Sequence, residues 1–492
     1  MQPTYLSYDR GTLLIRSDAK VPYTAWDERV RAFRAQGLYY REILDFLNRS
    51  ELSAVEDGVQ DLPPCPELRC RSLTMRPYQN KALNAWDKAG RRGVIVLPTG
   101  AGKTVIGMKA IELVNQPAIV IVPTLDLLEQ WRRRAEEAFG TRIGVYGGGE
   151  NTVESITVST YDSAFLRAGE IGNRFQLLLV DEVHHLPGES FRQIAEMFTA
   201  PYRMGLTATY ERDDMLHLEM PRLIGGVVYR LGPEDLAGRY LSPYTLEKVN
   251  VELTPEEKEE YDREYGTFTG YLERNRIWLT SPVAFQRFIM RTSRDPQARK
   301  ALLARNRAVS IAFNSVAKVD MLGEILRQNP DERILVFTQH NDLVYRISRR
   351  FLLPFITHTT AKEERYEVLK GFREGRFSAI VTSKVLDEGI DVPEASIGVI
   401  VSGTGSSREF IQRLGRLLRK SEGKGRARLI ELVSRETSET RTSSRRKRGR
   451  RKKSAKEVEE TKADDTTAGE DKEESTMTKP YYEGEVVDWR NE

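Results

Sequence analysis

Short runs of consecutive apolar residues alternate with amphipathic patterns in the first half of the chain. Consecutive apolar residues are typical of strands that are buried on both faces of a sheet. The predicted strands are Val94–Leu97, Ala118–Val122, Ile156–Thr160, Leu177–Val180 and Met204–Thr207, of which the first, second and fourth are apolar throughout. Residues 125–138, between the second and third of these strands, have apolar residues at helical spacing. This alternation of strands and helices predicts a parallel, doubly wound α/β sheet.

A second alternating set begins after residue 330. Its predicted strands are Ile334–Phe337, Phe355–Thr357, Ala379–Thr382, Ile397–Val401 and Arg428–Val433. Between the two sets, Val249–Leu253 fits a strand, and the sequence from Pro255 onward is helical and rich in charge. We expect most of its aromatic residues to pack inside a helical hairpin: Tyr261, Tyr265, Phe268, Tyr271, Trp278 and Phe285. The Lys and Arg residues around them leave contact with a phosphate backbone as an open alternative.

The N-terminal part predicts a small α/β module with its own core. Tyr5–Tyr8 and Thr12–Arg16 are predicted strands. The apolar spacing over residues 26–47 favours helices with a break near Gly37. The Pro-rich segment Asp61–Cys70 is typical of a linker.

The composition fits a soluble globular protein, since 39% of the 492 residues are apolar and 30% are charged. That length allows about three domains. The sequence has neither an apolar run long enough for a membrane span nor the apolar core of a signal peptide, so we expect no membrane contact and a cytoplasmic location. Cys65 and Cys70 lack further Cys or His at metal-binding spacing, which favours two free thiols.

Positive charge is concentrated near the C-terminus. The net charge is +4, and residues 445–453 alone carry eight positive charges, so the rest of the chain has a net charge of −4. A body that is not basic overall must bind nucleic acid through local patches. The composition of residues 436–492 predicts a disordered charged tail. A nonspecific nucleic-acid tether and a nuclear-localisation signal both fit its basic run.

The sequence LPTGAGKT at residues 97–104 predicts a phosphate-binding loop. Gly100 and Gly102 allow the backbone N–H groups to point at phosphate oxygens, and a helix that begins near Lys103 directs its positive end at the same anion. Lys103 can reach the β- and γ-phosphates, and the Thr104 hydroxyl can bind Mg²⁺. The general pattern begins with Gly where this chain has Leu, a departure that is common where Pro-Thr-Gly follows. A simple glycine turn between strand and helix is the alternative.

Two acidic residues, Asp181 and Glu182, directly follow the apolar run LLLV. The carboxyl ends of parallel strands meet at one edge of a sheet, so we expect both acids to lie near Lys103 and Thr207. Asp181 is then expected to hold Mg²⁺, and Glu182 to orient or deprotonate the attacking water. Without the phosphate loop upstream, the two acids would indicate only the start of a loop.

Two further stretches add candidate nucleotide contacts. The amide of Gln79, upstream of the phosphate loop, can both donate and accept hydrogen bonds, which suits the edge of an adenine; solvent-exposed surface is the alternative. Near the end of the second set, Gln412, Arg416 and Arg419 share one helical face. Two guanidinium groups directed at one point suit a polyphosphate, and a basic surface helix is the alternative.

Seven segments resemble, in order, the motif series of superfamily two helicases. They are LPTGAGKT, IVPTLDLLEQW (121–131), DEVHH (181–185), GLTAT (205–209), ILVFTQ (334–339), TSKVLDEGIDVP (382–393) and QRLGRLLR (412–419). Within that superfamily, the chain resembles the XPB-type DNA helicases in their archaeal form. Three features carry this resemblance: RPYQ (76–79) before the loop, DEVHH as the acidic motif and ERDD (211–214) after GLTAT. The resemblance spans about residues 75–435.

The resemblance implies two RecA-like doubly wound parallel-sheet lobes, with a small N-terminal α/β module and a helical thumb-like insertion. The implied domains are a damage-recognition-like module at 1–65, an ATP-binding lobe at 70–240, a second lobe at 241–435 with the insertion at about 255–310, and the tail at 436–492. The implied activity is that of a DNA-dependent ATPase with 3′-to-5′ helicase or duplex translocase activity, which uses ATP and Mg²⁺. It would act on duplex and single-stranded DNA in nucleotide excision repair or promoter opening.

The resemblance extends to individual residues. Catalytic roles fall on Lys103, Asp181, Glu182, Arg416 and Arg419. ATP binding falls on Arg76, Gln79, Pro98, Thr99, Gly100, Ala101, Gly102, Lys103, Thr104, Gly389, Asp391 and Gln412. The residues implied to bind Mg²⁺ are Thr104 and Asp181. The residues implied to couple ATP hydrolysis to DNA are His184, Thr207 and Thr209.

The family carries an Arg-Glu-Asp element that is implicated in opening DNA. The matching residues here are Arg212, Asp213 and Asp214, so an Asp replaces the Glu and the acid is one methylene shorter. Archaeal members often act with a partner nuclease, so we expect such a partner, but no membrane and no small-molecule substrate other than ATP.

Two other functions stay open at this point. An ATP-gated adaptor that holds a nuclease on DNA without separating strands would use the same residues. An RNA helicase is the second alternative, and the absence of a DEAD or DEAH tetrapeptide argues against it, since the chain has DEVH.

Overall fold

A computed structural model describes residues 4–17, 20–49, 55–71, 73–212, 214–236, 240, 243–383, 395–402 and 427–440. The chain divides into two compact units, with the break after residue 241. Each unit contains one large sheet, and the first unit also carries a small N-terminal sheet. None of the helices in these ranges is long and apolar enough to cross a membrane.

The N-terminal module is a five-stranded sheet with one α-helix. Its elements are β1 (Thr4–Asp9), β2 (Thr12–Arg16), β3 (Ala25–Asp27), β4 (Ala32–Gln36), α1 (Tyr40–Arg49) and β5 (Val55–Gly58). The strand order is β3-β4-β2-β1-β5, in which only β1 and β5 are parallel. The two predicted strands are present as β1 and β2, which pair antiparallel, and alternate residues of both strands face the core. That core contains Leu6, Leu13, Ile15, Ile43 and Leu47.

The prediction of helix from residue 26 onward is wrong in its first half. The antiparallel strands β3 and β4 occupy this region, and the α-helix begins only at Tyr40. Arg31, in the turn before β4, has a positive φ of 47°. Apolar spacing does not reveal a reversal through a left-handed residue, so the pattern resembled a helix.

The N-terminal module packs closely against the first lobe. The Tyr8 hydroxyl donates to the carbonyl oxygens of Ala168 and Met197, at 2.9 and 3.2 Å. Gly37 lies so near that a methyl group there would be 2.4 Å from the Met197 carbonyl oxygen. Only glycine fits this approach of two backbones, which explains the break that the sequence indicated at Gly37.

The first lobe is an eight-stranded sheet flanked by helices. Its strands are β6 (Arg92–Val96), β7 (Ala118–Val122), β8 (Gly144–Gly147), β9 (Glu150–Asn151), β10 (Ile156–Thr160), β11 (Leu177–Asp181), β12 (Tyr202–Thr207) and β13 (Val227–Arg230). Its helices are α2 (Pro77–Lys88), α3 (Lys103–Val114), α4 (Leu125–Phe139), α5 (Tyr161–Ile171), α6 (Arg192–Met197), α7 (Met220–Leu223) and α8 (Pro233–Leu236). The order is β13-β6-β12-β11-β7-β10-β8-β9, and all pairs except β8–β9 are parallel. The predicted doubly wound sheet is thereby confirmed.

The second unit has a six-stranded, fully parallel sheet in the order β14-β19-β18-β15-β17-β16. Its strands are β14 (Tyr244–Val251), β15 (Ile334–Phe337), β16 (Phe355–Ile356), β17 (Ala379–Thr382), β18 (Ile397–Ile400) and β19 (Ala427–Ser434). Its helices are α9 (Pro255–Arg274), α10 (Pro282–Arg291), α11 (Pro296–Phe313), α12 (Val316–Gln328), α13 (Asn341–Phe351) and α14 (Lys362–Arg373). The second lobe that the sequence predicted is therefore present.

Helices α9–α11 form the helical insertion, between β14 and α12. Thr254 and Glu257 form a capping box at the start of α9, which fixes where the helix begins. The aromatic residues of α9 and α10 pack against small side chains of α11, in a core that contains Phe268, Tyr271, Phe288, Ala298 and Ala301. Trp278 is an exception to this packing, since it is 78% exposed.

A buried ion pair holds the C-terminal end of the second unit. Lys318 Nζ donates to Glu439 Oε2 at 2.5 Å and to the Val401 carbonyl oxygen at 3.1 Å. Glu439 also accepts the backbone N–H of Ser434, and burial raises the pKa of its carboxyl while Lys318 opposes that rise. The predicted tail begins at residue 436, and the described residues continue through a turn and one helical segment to residue 440; the rest of that tail lies outside the described residues.

Replacing Glu439 by Gln should destabilise the second unit by about 3–5 kcal/mol, because Lys318 would stay buried without its opposite charge. The measurement is chemical denaturation of the full chain. Glu436→Gln, an exposed acid of the same turn, is the control and should change little. The double variant Lys318→Met/Glu439→Leu should recover much of the loss, since it leaves no buried charge. A wild-type midpoint for Glu439→Gln would contradict this account.

Candidate active site

The predicted phosphate loop and catalytic acids follow three adjacent strands of the first lobe. Strand β12 lies between β6 and β11, and its register places Thr207 beside Val96 and Leu206 beside Asp181. The loop after β6, the acids after β11 and Thr207 therefore meet at one edge of the sheet. The proximity that the sequence predicted is present.

The phosphate loop has the curled backbone that its glycines suggested. Gly100 and Gly102 have positive φ angles of 85° and 76°. A methyl group on Gly102 would lie 2.5 Å from the amide nitrogen of Gln79, so the loop requires glycine for both its φ angle and the space. Helix α3 begins at Lys103, which places its positive end and Thr104 at the loop.

Gln79 and Tyr78, both on α2, support the loop from one side. Gln79 Nε2 donates to the carbonyl oxygens of Ala101 and Gly102 at 3.0 and 3.3 Å, and its Oε1 accepts the Arg76 backbone N–H at 2.7 Å. The Tyr78 hydroxyl donates to the Ala101 carbonyl at 2.6 Å. Both hydrogens of the Gln79 amide are thus used within the chain, and only one lone pair of Oε1 stays available to an adenine. Loop support is the role that these contacts give to Gln79.

Negative charge exceeds positive charge among the buried groups of the site. Lys103 Nζ lies 3.9 Å from Glu182 Oε1 and donates to the Leu97 carbonyl oxygen at 3.3 Å. Asp181 is only 6% exposed. Burial, followed by the charge of Glu182, raises the pKa of Asp181 to about 6, and Lys103 acts in the opposite direction. One lysine therefore faces two carboxylates.

This arrangement suits the predicted magnesium ion. A cation would offset the excess negative charge, and the carboxylate of Asp181 and hydroxyl of Thr104 offer the oxygen ligands that Mg²⁺ prefers. Within the described ranges, no three His, Cys, Asp or Glu side chains form a metal-binding group. A magnesium ion here would therefore need phosphate oxygens and water as further ligands, which is usual at nucleotide sites.

The backbone at Glu182 is held in an uncommon conformation. Glu182 has φ 47° and ψ 51°, a left-handed geometry that is rare for residues other than glycine. The Tyr161 hydroxyl, on α5, lies 3.1 Å from the carbonyl oxygens of Asp181 and Glu182 and so fixes this turn. Such strain is often found where a catalytic side chain must point in one direction.

The three predicted coupling residues form one network with Glu182. Buried His184 has its Nδ1 2.9 Å from Thr207 Oγ1, and both atoms lie 3.5 Å from Glu182 Oε2. Thr207 Oγ1 also contacts the backbone N–H and carbonyl of Thr209, at 3.1 and 2.8 Å. Thr209 Oγ1 is buried and finds no hydrogen-bond partner among the described residues. A change at Glu182 can therefore reach Thr209 through Thr207.

Arg212 extends this network to the predicted DNA-opening element. Its Nε and Nη2 donate to the two carboxylate oxygens of Asp214, at 2.9 and 2.6 Å, and its Nη1 donates to the His184 carbonyl at 2.5 Å. Arg212 lowers the pKa of Asp214 to about 2. The element is thus attached directly to the backbone of the acidic motif, which the sequence did not indicate.

The other predicted residues fall into two groups. Pro98 and Thr99 lie in the loop, and Arg76 precedes α2 with its guanidinium carbon 5.6 Å from the ring centre of Tyr240. Outside the described residues lie Asp213, Gly389, Asp391, Gln412, Arg416 and Arg419, whose roles stay predictions from the sequence.

Sequence reasoning missed three supporting residues: Tyr78, Tyr161 and Trp131, whose indole Nε1 donates to Asp181 Oδ2. The segment RPYQ contains Tyr78, and the segment IVPTLDLLEQW ends with Trp131. Their presence within family motifs could have marked both residues as candidates. Tyr161 lies in none of the quoted segments.

Three family models match the chain. A damage recognition domain of xeroderma pigmentosum group B helicase matches residues 6–59. The res subunit of type III restriction enzymes matches residues 72–212. An ERCC3/RAD25/XPB C-terminal helicase model matches residues 278–451.

Known proteins resemble this chain over most of its length. The DNA 3′-5′ translocase XPB2 of Sulfurisphaera tokodaii is 43% identical over 439 residues, which cover 89% of this chain and 98% of that protein. The general transcription and DNA repair factor IIH helicase/translocase subunit XPB/SSL2 of Saccharomyces cerevisiae is 26% identical, over 75% of this chain and 42% of that longer protein. The crystal structure of the Pyrococcus furiosus Hef helicase domain covers 74% of this chain and 96% of that domain, with 19% identity and a TM-score of 0.48.

Proposed function

Because this chain belongs to the XPB family of helicases, we propose that it is an ATP-driven DNA 3′-to-5′ helicase or duplex translocase. The alignment with the archaeal relative, a DNA 3′-5′ translocase, covers nearly the whole length of that protein. The single structural observation that best supports the proposal is the meeting of Lys103, Asp181, Glu182 and Thr207 at the ends of three adjacent strands. That arrangement suits a site for phosphate-anhydride hydrolysis.

Each residue of this site has a role that follows from its position. The loop backbone and Lys103 bind the phosphates, and Tyr78 and Gln79 keep the loop in its curled form. Glu182 orients the attacking water and accepts its proton. Bound Mg²⁺ would neutralise charge that develops on the phosphate oxygens, and Asp181 and Thr104 would hold it.

The second lobe supplies the other proposed contributors. Arg416 and Arg419 would add positive charge at the transferring phosphoryl group, and Gly389, Asp391 and Gln412 would contact the nucleotide. These roles rest on the match of QRLGRLLR and TSKVLDEGIDVP to the family motifs.

The network from Glu182 to Asp214 supports coupling of ATP hydrolysis to DNA. His184 and Thr207 both touch Glu182, and Arg212 binds the His184 carbonyl. A shift of Glu182 between nucleotide states would alter the hydrogen bonds that orient Arg212 and Asp214. The Arg212–Asp214 element would therefore present different surfaces to DNA before and after hydrolysis.

A role in DNA repair, and a second role in promoter opening, are proposed from the N-terminal module and the relatives' names. The damage-recognition model matches residues 6–59, and the yeast relative is named as a helicase/translocase subunit of a general transcription and DNA repair factor. We propose that the module, which packs against the first lobe, positions the motor at altered DNA. A partner nuclease is also proposed, from the resemblance to archaeal members alone.

The experiment that tests this function is ATP hydrolysis by the purified chain with single-stranded DNA, duplex DNA and RNA. We expect DNA of either form to stimulate turnover and RNA to stimulate it much less. Equal stimulation by RNA would favour an RNA helicase. Failure of every nucleic acid to stimulate turnover would contradict the proposal.

A further inference from the structure

Trp131 on α4 makes a contact with the catalytic acids that the mechanism above does not use. Its indole Nε1 donates to Asp181 Oδ2 at 2.8 Å, across 50 residues of sequence. The other carboxylate oxygen, Oδ1, accepts the backbone N–H of Glu182 at 3.0 Å. Each oxygen of Asp181 therefore holds one hydrogen bond, which fixes the plane of the carboxylate.

The position of the indole is itself fixed by packing. Trp131 is 1% exposed. Gly107, on the helix that follows the phosphate loop, leaves room for the ring: a methyl group there would lie 2.7 Å from Trp131 and 2.9 Å from Leu179. The ring thus lies against α3 while its N–H reaches Asp181 at the end of β11. One side chain therefore links the phosphate-loop helix to the metal-binding acid.

We propose that Trp131 is a positioning residue that holds the Asp181 carboxylate ready for the metal ion. This inference rests on the proposed function, since it assumes that Asp181 binds the metal of a metal–nucleotide complex. An indole N–H can only donate, so it holds Oδ2 without competing for the metal. The remaining lone pairs of the carboxylate then keep a constant direction toward the loop. Partners that orient a metal ligand in this way typically contribute about 10–100-fold to metal affinity.

The test is binding of Mn²⁺, as a probe for Mg²⁺, to the full chain with a saturating non-hydrolysable ATP analogue, followed by electron paramagnetic resonance of free Mn²⁺. Trp131→Phe keeps an aromatic ring and removes the donor. We expect its Mn²⁺ affinity to fall by about 10–100-fold. Binding of the same analogue without metal, in excess EDTA, should stay close to the wild-type value, because the loop and Lys103 are unchanged.

Trp86→Phe is the matched control. Trp86 is also fully buried in the first unit, and its Nε1 donates to the Arg203 carbonyl at 2.8 Å. Both variants lose one indole hydrogen bond and should lose similar stability, but Trp86→Phe should bind Mn²⁺ like the wild type. Wild-type Mn²⁺ affinity in Trp131→Phe, or an equal loss in both variants, would overturn the inference.

A second variant keeps the inference testable if Trp131→Phe does not fold. Gly107→Ala retains the indole but displaces it by the added methyl group, so Mn²⁺ affinity should again fall while metal-free analogue binding is kept. Unchanged Mn²⁺ affinity in a folded Gly107→Ala variant would count against the inference. If the wild type itself binds no metal–nucleotide complex, the proposed function fails instead.

Discussion

Replacing Glu182 by Gln is expected to lower the maximal rate of DNA-stimulated ATP hydrolysis by about 10²–10⁴-fold, the range typical of a lost general base. The amide keeps the size of the side chain but cannot accept the proton of the attacking water. ATP binding should persist, because the phosphate loop, Lys103 and Asp181 are unchanged. The measurement is steady-state turnover at saturating DNA, with nucleotide binding determined separately.

Two variants make this result specific. Lys103→Ala removes the charge that contacts the phosphates, so it should weaken ATP binding as well as abolish turnover. Glu170→Gln, an exposed acid of the same lobe that pairs with Arg167, should leave both quantities unchanged. Wild-type turnover in Glu182→Gln would show that Glu182 is not the catalytic base.

Replacing Arg212 by Ala is expected to slow the displacement of DNA strands much more than it slows ATP hydrolysis. The change removes the bidentate contact with Asp214, which is exposed and contributes at most about 1 kcal/mol, and the partly buried bond to the His184 carbonyl. A partly buried hydrogen bond of a charged group contributes about 1.5–3 kcal/mol, and losing it from the state that displaces DNA corresponds to a decrease of about 10–100-fold in the rate of displacement. ATP turnover at saturating DNA should change much less, since Lys103, Asp181 and Glu182 keep their contacts.

Arg222→Ala is the matched control for this prediction. Arg222, at the surface of the first lobe, also binds two carboxylates, those of Glu196 and Glu219, and among the described residues it makes no bond to the acidic motif. Its removal should leave displacement per ATP unchanged. Arg212→Lys should recover only part of the activity, because an ammonium group lacks the planar fork that binds Asp214. Equal ratios of displacement to ATP turnover in Arg212→Ala and the wild type would exclude this coupling role.

The large sheets could be predicted from the sequence because their strands carry their own signal. Strand β7 is buried on both faces, consists of consecutive apolar residues and matches its predicted bounds residue for residue. Strand β10 also matches its predicted bounds, although Thr157, Ser159 and Thr160 interrupt its apolar pattern. The N-terminal module was harder. Strand β4 has a mixed burial pattern and follows a turn through Arg31, so neither apolar alternation nor glycine marked it.

The candidate site likewise contains residues that the sequence predicted and contacts that it did not predict. Lys103, Asp181 and Glu182 lie in short motifs whose chemistry is tied to their spacing, so the sequence was enough to place them together. The contacts of Trp131 with Asp181 and of Arg212 with His184 join segments that are far apart in sequence. Nothing in the local pattern of either segment specifies its partner. Gln79 likewise hydrogen-bonds to the loop because α2 packs beside it. The periodicity of apolar residues predicts a helix but not the position at which that helix packs.

The most direct test of the account is movement along DNA that is driven by ATP. A labelled third strand bound to a DNA duplex reports such movement whether or not the duplex strands separate, and duplexes with a 3′ or a 5′ single-stranded tail report its direction. We predict that the wild-type chain displaces the third strand in the 3′-to-5′ direction only with ATP, and that Glu182→Gln does not. DNA-stimulated ATP hydrolysis without any displacement would contradict the motor function and favour an ATP-gated adaptor.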